Sequence, residues 1–243
     1  EDNKQPNFVF IIVESFGQSL TGVESSTVSF TPFIDSLKNE SLYWQNCLAT
    51  TERTFGVLPA IFASTPQGEN GFSHRYSTMP PHNSLLKDFK NNGYDISYHY
   101  GCYRDIDRYD NFLKVNDIEN IFVPKQENID EDIYNMMREN HRWGLDDKDL
   151  FDIVINDRKS SDNDKPFVDI IMTLSTHEPF VILEGQEKYE QKAKEIFEKS
   201  NVVDTKERNN IEKNMNVFAC YLYMDECVKN LINSYKEIGR YDN

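Results

Sequence analysis

The sequence has 243 residues, of which 38% are apolar and 13% aromatic, so it can bury a sizeable core as one large domain or two small ones. Aspartate and glutamate outnumber lysine and arginine by 41 to 26, and the net charge of −15 argues against binding to nucleic acid or to an anionic membrane surface. An anionic substrate would therefore need a local positive feature, such as a metal ion or an arginine.

Apolar strands and amphipathic helices alternate along the chain. The predicted strand 7–13 contains the unbroken apolar run 8–13, which is typical of a strand that is covered on both faces. The elements that follow it in chain order are a helix over 31–40, a strand over 41–49, helices over 54–64 and 83–93, strands over 94–100 and 119–124, a helix over 145–159, a strand over 166–174, and helices over 186–199 and 205–238. This alternation predicts a doubly wound, mostly parallel sheet in an α/β/α sandwich.

Polar side chains follow three of the predicted strands. Glu14 comes directly after the first strand, Thr54 follows the second strand and opens a helix, and His177 follows the strand over 166–174. In a doubly wound sheet, ligands bind where the carboxyl ends of the strands meet, so these side chains are expected to converge. A carboxylate after a buried strand is suited to hold a cation at that edge.

Thr54 has two interpretations on local grounds, as a helix cap or as a nucleophile. A hydroxyl is a poor nucleophile at neutral pH, but a divalent ion held by Glu14 and by the threonine oxygen would activate it. Glu14 alone is equally explained as a solvated turn acid, and His177 as a hydrogen-bonded loop histidine. The convergence of all three favours a threonine nucleophile that a metal ion activates and that attacks an anion.

Six segments, taken in order, resemble the sulfatase-like catalytic domain of the lipoteichoic acid synthase family, a branch of the alkaline phosphatase superfamily. They are FVFIIVESFG (8–17), TPFIDSL (31–37), ERTFGVLPAIFAS (52–64), RWGLDDKDLFD (142–152), MTLSTHEPF (172–180) and YMDECVKNLINSYKEIGRYDN (223–243). The resemblance implies a metal-dependent transfer of glycerol phosphate, or of a related group, from a lipid donor through a covalent threonine intermediate. It also implies a location outside the cytoplasm, on the outer face of the cytoplasmic membrane or in the periplasm.

The resemblance assigns roles to the residues that match the motifs of the family. Glu14 resembles the first metal ligand, and Thr54 resembles the nucleophile, which also touches the metal. His177 resembles a histidine that binds the substrate, and Trp143 resembles a tryptophan near the site.

Two further residues, His99 and Arg108, fit under one alignment a histidine and an arginine that bind the substrate phosphate. The implied cofactor is a divalent metal ion, with Mn²⁺ or Mg²⁺ expected first and Zn²⁺ or Ca²⁺ as alternatives. The implied substrate is a phosphate or sulfate ester, such as a phospholipid head group.

The sequence departs from the family pattern in two ways. The remaining metal ligands of the family are an Asp-His pair beyond the segment that here ends GRYDN, and these 243 residues contain no Asp-His pair. No apolar run approaches the ~20 residues of a spanning helix, so the membrane helices typical of the family are missing. We therefore expect residues 1–243 to be a single, C-terminally truncated sulfatase-like domain that is inactive alone and derives from a membrane-anchored protein.

Three alternatives to phosphoglycerol transfer stay open. A true sulfatase of the formylglycine type needs Cys or Ser in the motif C/S-x-P-x-R, whereas the site here reads TFGVL over 54–58. A phosphohydrolase that acts on soluble esters would use the same residues. A binding or sensor domain would keep the fold without the chemistry.

Overall fold

The computed structural model describes residues 5–18, 21, 28–51, 54–65, 71, 79–102, 109–124, 135, 143–161, 165–200 and 205–241. The strands and helices in chain order are β1 (Phe8–Ile12), α1 (Pro32–Leu37), α2 (Val57–Ala63), α3 (Leu85–Asn91), β2 (Asp95–Tyr100), α4 (Tyr109–Val115), β3 (Asn120–Phe122), α5 (Asp147–Ser160), β4 (Phe167–Met172), α6 (Glu187–Glu198), α7 (Thr205–Lys213) and α8 (Met215–Glu237). Two 3₁₀ turns, Lys38–Glu40 and Thr54–Gly56, follow α1 and precede α2.

The four strands form one parallel sheet in the order β1-β4-β2-β3. β4 lies between β1 and β2, and all six of its residues are buried. Each parallel connection needs a crossover, and the helices between the strands supply it. The structure thus confirms the predicted doubly wound α/β architecture.

The side chains of β4 alternate between two apolar clusters, one on each face of the sheet. Val168 and Ile170 pack among residues of α2, α3 and α4. Phe167 and Ile171 pack among residues of α5, α6 and α8. Both faces of the sheet are therefore covered, which explains why β4 is apolar at every position except Asp169.

A buried polar network interrupts the second of these clusters. Asp169 of β4 is completely buried, and its carboxylate accepts hydrogen bonds from Arg158 of α5, Tyr235 of α8 and Ser97 of β2. Arg158 also donates to Asp95 over 3.0 Å and stacks on the ring of Phe167. Through these hydrogen bonds, the network connects α5 and α8 to β4 in the middle of the sheet.

The predicted strand over 41–49 is wrong. Residues 41–50 form no strand, and three of their large apolar side chains, Leu42, Trp44 and Leu48, are between 71% and 90% exposed. A strand requires a hydrogen-bonded neighbour, and no strand in the described ranges pairs with this segment. Its apolar pattern alone does not provide that neighbour.

Two smaller differences concern helices. The predicted helix over 205–238 is two helices, because Asn214 leaves helical geometry and separates α7 from α8. α4 was not predicted from the sequence at all. In the part of the chain that the structure describes, no helix combines the length and the apolar character required to cross a bilayer.

Candidate active site

Glu14 and Thr54 meet at the carboxyl end of the sheet. Glu14 lies two residues beyond β1, and Thr54 is the first residue of the 3₁₀ turn that leads into α2. The Thr54 hydroxyl donates a hydrogen bond of 3.1 Å to Oε2 of Glu14. The two oxygens are therefore close enough to share one cation, as the topology predicted.

The backbone of Glu14 is held on both sides by the segment that follows β4. The Glu14 amide donates to the hydroxyl of Thr173 over 2.9 Å, and the hydroxyl of Thr176 donates to the Glu14 carbonyl over 2.6 Å. Both threonines are almost completely buried. The position of this carboxylate is thus set by β4 as well as by its own strand.

The next residue, Ser15, turns the chain away from the sheet. Its φ of 53° lies in the left-handed region, which is uncommon outside glycine, asparagine and aspartate. The Ser15 hydroxyl donates to Oε1 of Glu14 over 3.2 Å, and the Ser15 carbonyl accepts from the hydroxyl of Tyr221 on α8. Burial raises the pKa of the Tyr221 hydroxyl to about 12, so it remains a donor at neutral pH.

His177 and Trp143 form a second polar group beside this edge. Trp143 Nε1 donates to the Glu178 carbonyl over 2.9 Å, and His177 Nδ1 lies 2.7 Å from the same oxygen. Because a carbonyl only accepts hydrogen bonds, Nδ1 carries the proton and Nε2 is left for another partner. The two rings lie 5.3 Å apart and border a small cavity with Leu174.

His99 is not brought to this cluster. It lies in β2, its side chain is 1% exposed, and its Nε2 is 2.8 Å from the carboxylate of Asp157 on α5. The ring therefore faces α5 on one side of the sheet, although His99 is the penultimate residue of β2. A role in phosphate binding stays a prediction, which these contacts do not favour, and Arg108 lies outside the described residues.

The oxygens at Glu14 and Thr54 suit part of a site for a hard divalent ion. Carboxylate and hydroxyl oxygens are the donors that Mg²⁺ and Mn²⁺ prefer, and no lysine, arginine or histidine of the described ranges pairs with Glu14. Two oxygens supply only part of the ~six ligands that such an ion takes. In the described part of the chain, no group of three or more His, Cys, Asp or Glu could hold a metal ion.

Asp147 is a buried acid near this edge, and its pKa is raised. It is the first residue of α5 and is completely buried, and its Oδ1 accepts from the backbone amides of Leu174 and Ser175. Burial raises the pKa of this carboxyl to about 6, although the two amides lower it. The neighbouring charge of Asp146 raises it slightly further.

We expect this carboxyl to make the stability of the protein depend on pH. Because its pKa is higher in the folded chain than in the unfolded one, stability should decrease as the pH rises from about 4 to about 6, and the full penalty should be present above pH 6. The difference in pKa corresponds to roughly 3 kcal/mol. Urea denaturation of the wild type and Asp147→Asn between pH 4 and 7 measures it. A stability difference between the two proteins that stays constant over this range would contradict the assignment.

Sequence reasoning overlooked three residues that support the site. Thr173 falls in the predicted strand over 166–174, Asp147 in the predicted helix over 145–159, and Tyr221 in the predicted helix over 205–238. Each is a polar group whose partner lies more than 25 residues away. Only the hydroxyls of the segment 173–176, which follow a mostly apolar strand, give a signal that the sequence alone shows.

Comparison with known proteins places this arrangement in a wider context. Residues 6–243 match the family model for Sulfatase. The fold is similar to that of the lipoteichoic acid synthase LtaP from Listeria monocytogenes, with 18% identity, coverage of 98% of this chain and 53% of that chain, and a TM-score of 0.69.

Two other solved structures are similar to nearly the same extent. One is a protein of the alkaline phosphatase superfamily from Vibrio parahaemolyticus, with 19% identity, coverage of 96% of this chain and 51% of that chain, and a TM-score of 0.67. The other is the C-terminal periplasmic domain of EcEptC from Escherichia coli in complex with Zn, with 16% identity, coverage of 97% and 60%, and a TM-score of 0.65. The chain spans about half of the length of the first two structures.

Proposed function

Because the chain belongs to the Sulfatase family, whose relatives include transferases and hydrolases, we propose that it is part of a metal-dependent phosphoglycerol-type transferase or phosphodiesterase with Thr54 as its nucleophile. The observation that carries the proposal is the hydrogen bond between the hydroxyl of Thr54 and the carboxylate of Glu14 at the carboxyl edge of the sheet. The substrate would be a phosphate ester that is presented outside the cytoplasm, such as a phospholipid head group.

Glu14 and Thr54 would hold a divalent ion, which would lower the pKa of the threonine hydroxyl and offset the negative charge of the ester. Enzymes of this superfamily generally use such ions, and the similar Escherichia coli structure contains Zn. Mn²⁺ or Mg²⁺ is our choice here because both donors are oxygens. The other ligands would have to come from outside this pair.

In the proposed reaction, Oγ1 of Thr54 forms a bond to phosphorus as the bond from phosphorus to the leaving alcohol breaks. The hydroxyl proton is already directed at Oε2 of Glu14. The Nε2 atom of His177 would accept a hydrogen bond from a hydroxyl of the substrate or of the acceptor alcohol, since the Nδ1 proton is committed to a carbonyl. An acceptor alcohol or water then attacks the phosphorus, and Thr54 is released.

The test is a substrate comparison on the full-length protein that carries this domain. With Mn²⁺ present, we expect turnover of bis(p-nitrophenyl) phosphate and of a glycerophospholipid, and a phosphorylated form of the Thr54 peptide by mass spectrometry after a rapid quench. EDTA should abolish all three. Turnover of p-nitrophenyl sulfate alone would instead identify a sulfatase, and absence of both turnover and metal binding would identify a non-catalytic domain.

A further inference from the structure

Asp147 is a buried acid that the proposed reaction does not use, although it lies one contact away from the groups that hold Glu14. We propose that Asp147 is a positioning residue, which fixes the segment after β4 and through it the carboxylate of Glu14. The inference rests on the proposed function, because it assumes that Glu14 is a metal ligand. We refer to the segment 173–176 as the strap.

The first step is the contact between Asp147 and the middle of the strap. Oδ1 of Asp147 accepts from the amide of Leu174 over 2.7 Å and from the amide of Ser175 over 3.1 Å. The backbone amide of Asp147 in turn donates to the hydroxyl of Ser175 over 2.9 Å. Three hydrogen bonds therefore fasten two consecutive residues of the strap to the first turn of α5.

The second step is the contact between the strap and Glu14. Thr173 and Thr176 flank the two residues that Asp147 holds, and they bind the amide and the carbonyl of Glu14 from either side. A shift of the middle of the strap would therefore move both partners of Glu14 together. Groups that orient a metal ligand in this way typically change metal affinity by ~10–100-fold when they are removed.

The two oxygens of Asp147 are not equivalent, and this makes a sharp test possible. Oδ1 makes both hydrogen bonds to the strap, whereas the buried Oδ2 has no hydrogen-bond partner in the described structure. An asparagine would keep an acceptor oxygen for the strap and lose the charge, and its amino group would take the position of Oδ2. A leucine of similar size would remove the acceptor.

The experiment compares Asp147→Asn, Asp147→Leu and a control, Asp152→Leu, in the full-length protein. Asp152 is an exposed acid on the same helix, 65% exposed at its side chain, and it does not contact the strap. We expect Asp147→Leu to raise the Kd for Mn²⁺ by ~10–100-fold in calorimetry, to lower kcat with little change in KM, and to speed hydrogen exchange at the amides of Leu174 and Ser175. Asp147→Asn and the control should resemble the wild type in all three.

Each outcome bears on one claim. If Asp147→Leu folds and retains the wild-type Kd and kcat, Asp147 does not position Glu14, and the inference is wrong. If Asp147→Leu does not fold, the Asp147→Asn variant tests the inference instead. Loss of Mn²⁺ affinity in a folded Asp147→Asn protein would overturn the role of Oδ1. If Thr54→Ala is fully active, the proposed function fails first, whatever the Asp147 variants show.

Discussion

Replacement of Thr54 by alanine in the full-length protein should reduce phosphodiester turnover by at least roughly 10³-fold, since loss of a nucleophile removes the covalent route altogether. The change removes the hydroxyl with its hydrogen bond of 3.1 Å to Glu14, and one methyl group. Stability should therefore change by less than about 1 kcal/mol. The measurement is steady-state turnover with Mn²⁺, together with a thermal melt.

Thr65→Ala provides a matched control for this variant. Thr65 lies just past the other end of α2, and its hydroxyl donates to the carbonyl of Ala63. Thr65→Ala should keep wild-type turnover, and Thr54→Ser should retain part of it, because serine keeps the nucleophilic oxygen. Turnover by Thr54→Ala above about a tenth of the wild-type rate would exclude Thr54 as the nucleophile, since this loss would be far below what such a group contributes.

Removal of Asp169 should have the largest effect on stability, a loss of ~3–5 kcal/mol for Asp169→Ala. The carboxylate is completely buried and neutralises Arg158, which is only 2% exposed. The variant would leave this buried cation with Asp95 as its remaining anionic partner and with the neutral hydroxyl of Ser97. The hydroxyl of Tyr235 would lose its acceptor as well. Urea denaturation with a two-state fit measures the change.

A double variant separates the charge from the packing at this position. Asp169→Leu combined with Arg158→Met removes both charges, so part of the lost stability should return, because apolar residues of similar volume often replace a buried ion pair at little cost. Asp152→Ala, which breaks an exposed pair with Lys148, should cost less than about 1 kcal/mol. If Asp169→Ala is no less stable than Asp152→Ala, the network contributes little.

The sequence predicts most of the sheet well, because the proportion of apolar residues in a strand indicates whether its two faces are buried. β1 is a continuous apolar run and β4 is apolar except at Asp169, and such strands occur where both faces are covered. The segment 41–49 has leucine and aromatic residues but none that is β-branched, and its pairing depends on a neighbour that no local pattern encodes. α4 was missed for a related reason, since its seven residues are too few to show a clear helical period.

The candidate site also has some features that the sequence predicts and others that it does not. The prediction that Glu14 and Thr54 converge assumes that each follows a parallel strand, since the carboxyl ends of such strands share one edge. Glu14 does follow β1, whereas Thr54 reaches the same edge although residues 41–50 form no strand. The contacts that fix Glu14 come from Thr173 and Thr176, across about 160 residues of sequence, and depend on register to within one residue. The burial of His99 depends on which face of β2 meets α5, and the motif that suggested its role does not contain that information.

The central place of β4 also has a consequence for the order in which the protein is made. β1 pairs only with β4 in the described sheet, and Phe8 lies opposite Val168, so the first strand has no partner until the ribosome has added about 160 more residues. At ~5–20 residues per second, this delay lasts roughly 10–30 s. β2 and β3, which are 23 residues apart at Ser97 and Asn120, can pair long before that. Insertion of β4 between β2 and β1 is therefore a later event than the pairing of β2 with β3, and it joins the four described strands and brings Thr173 and Thr176 to Glu14 at the same time.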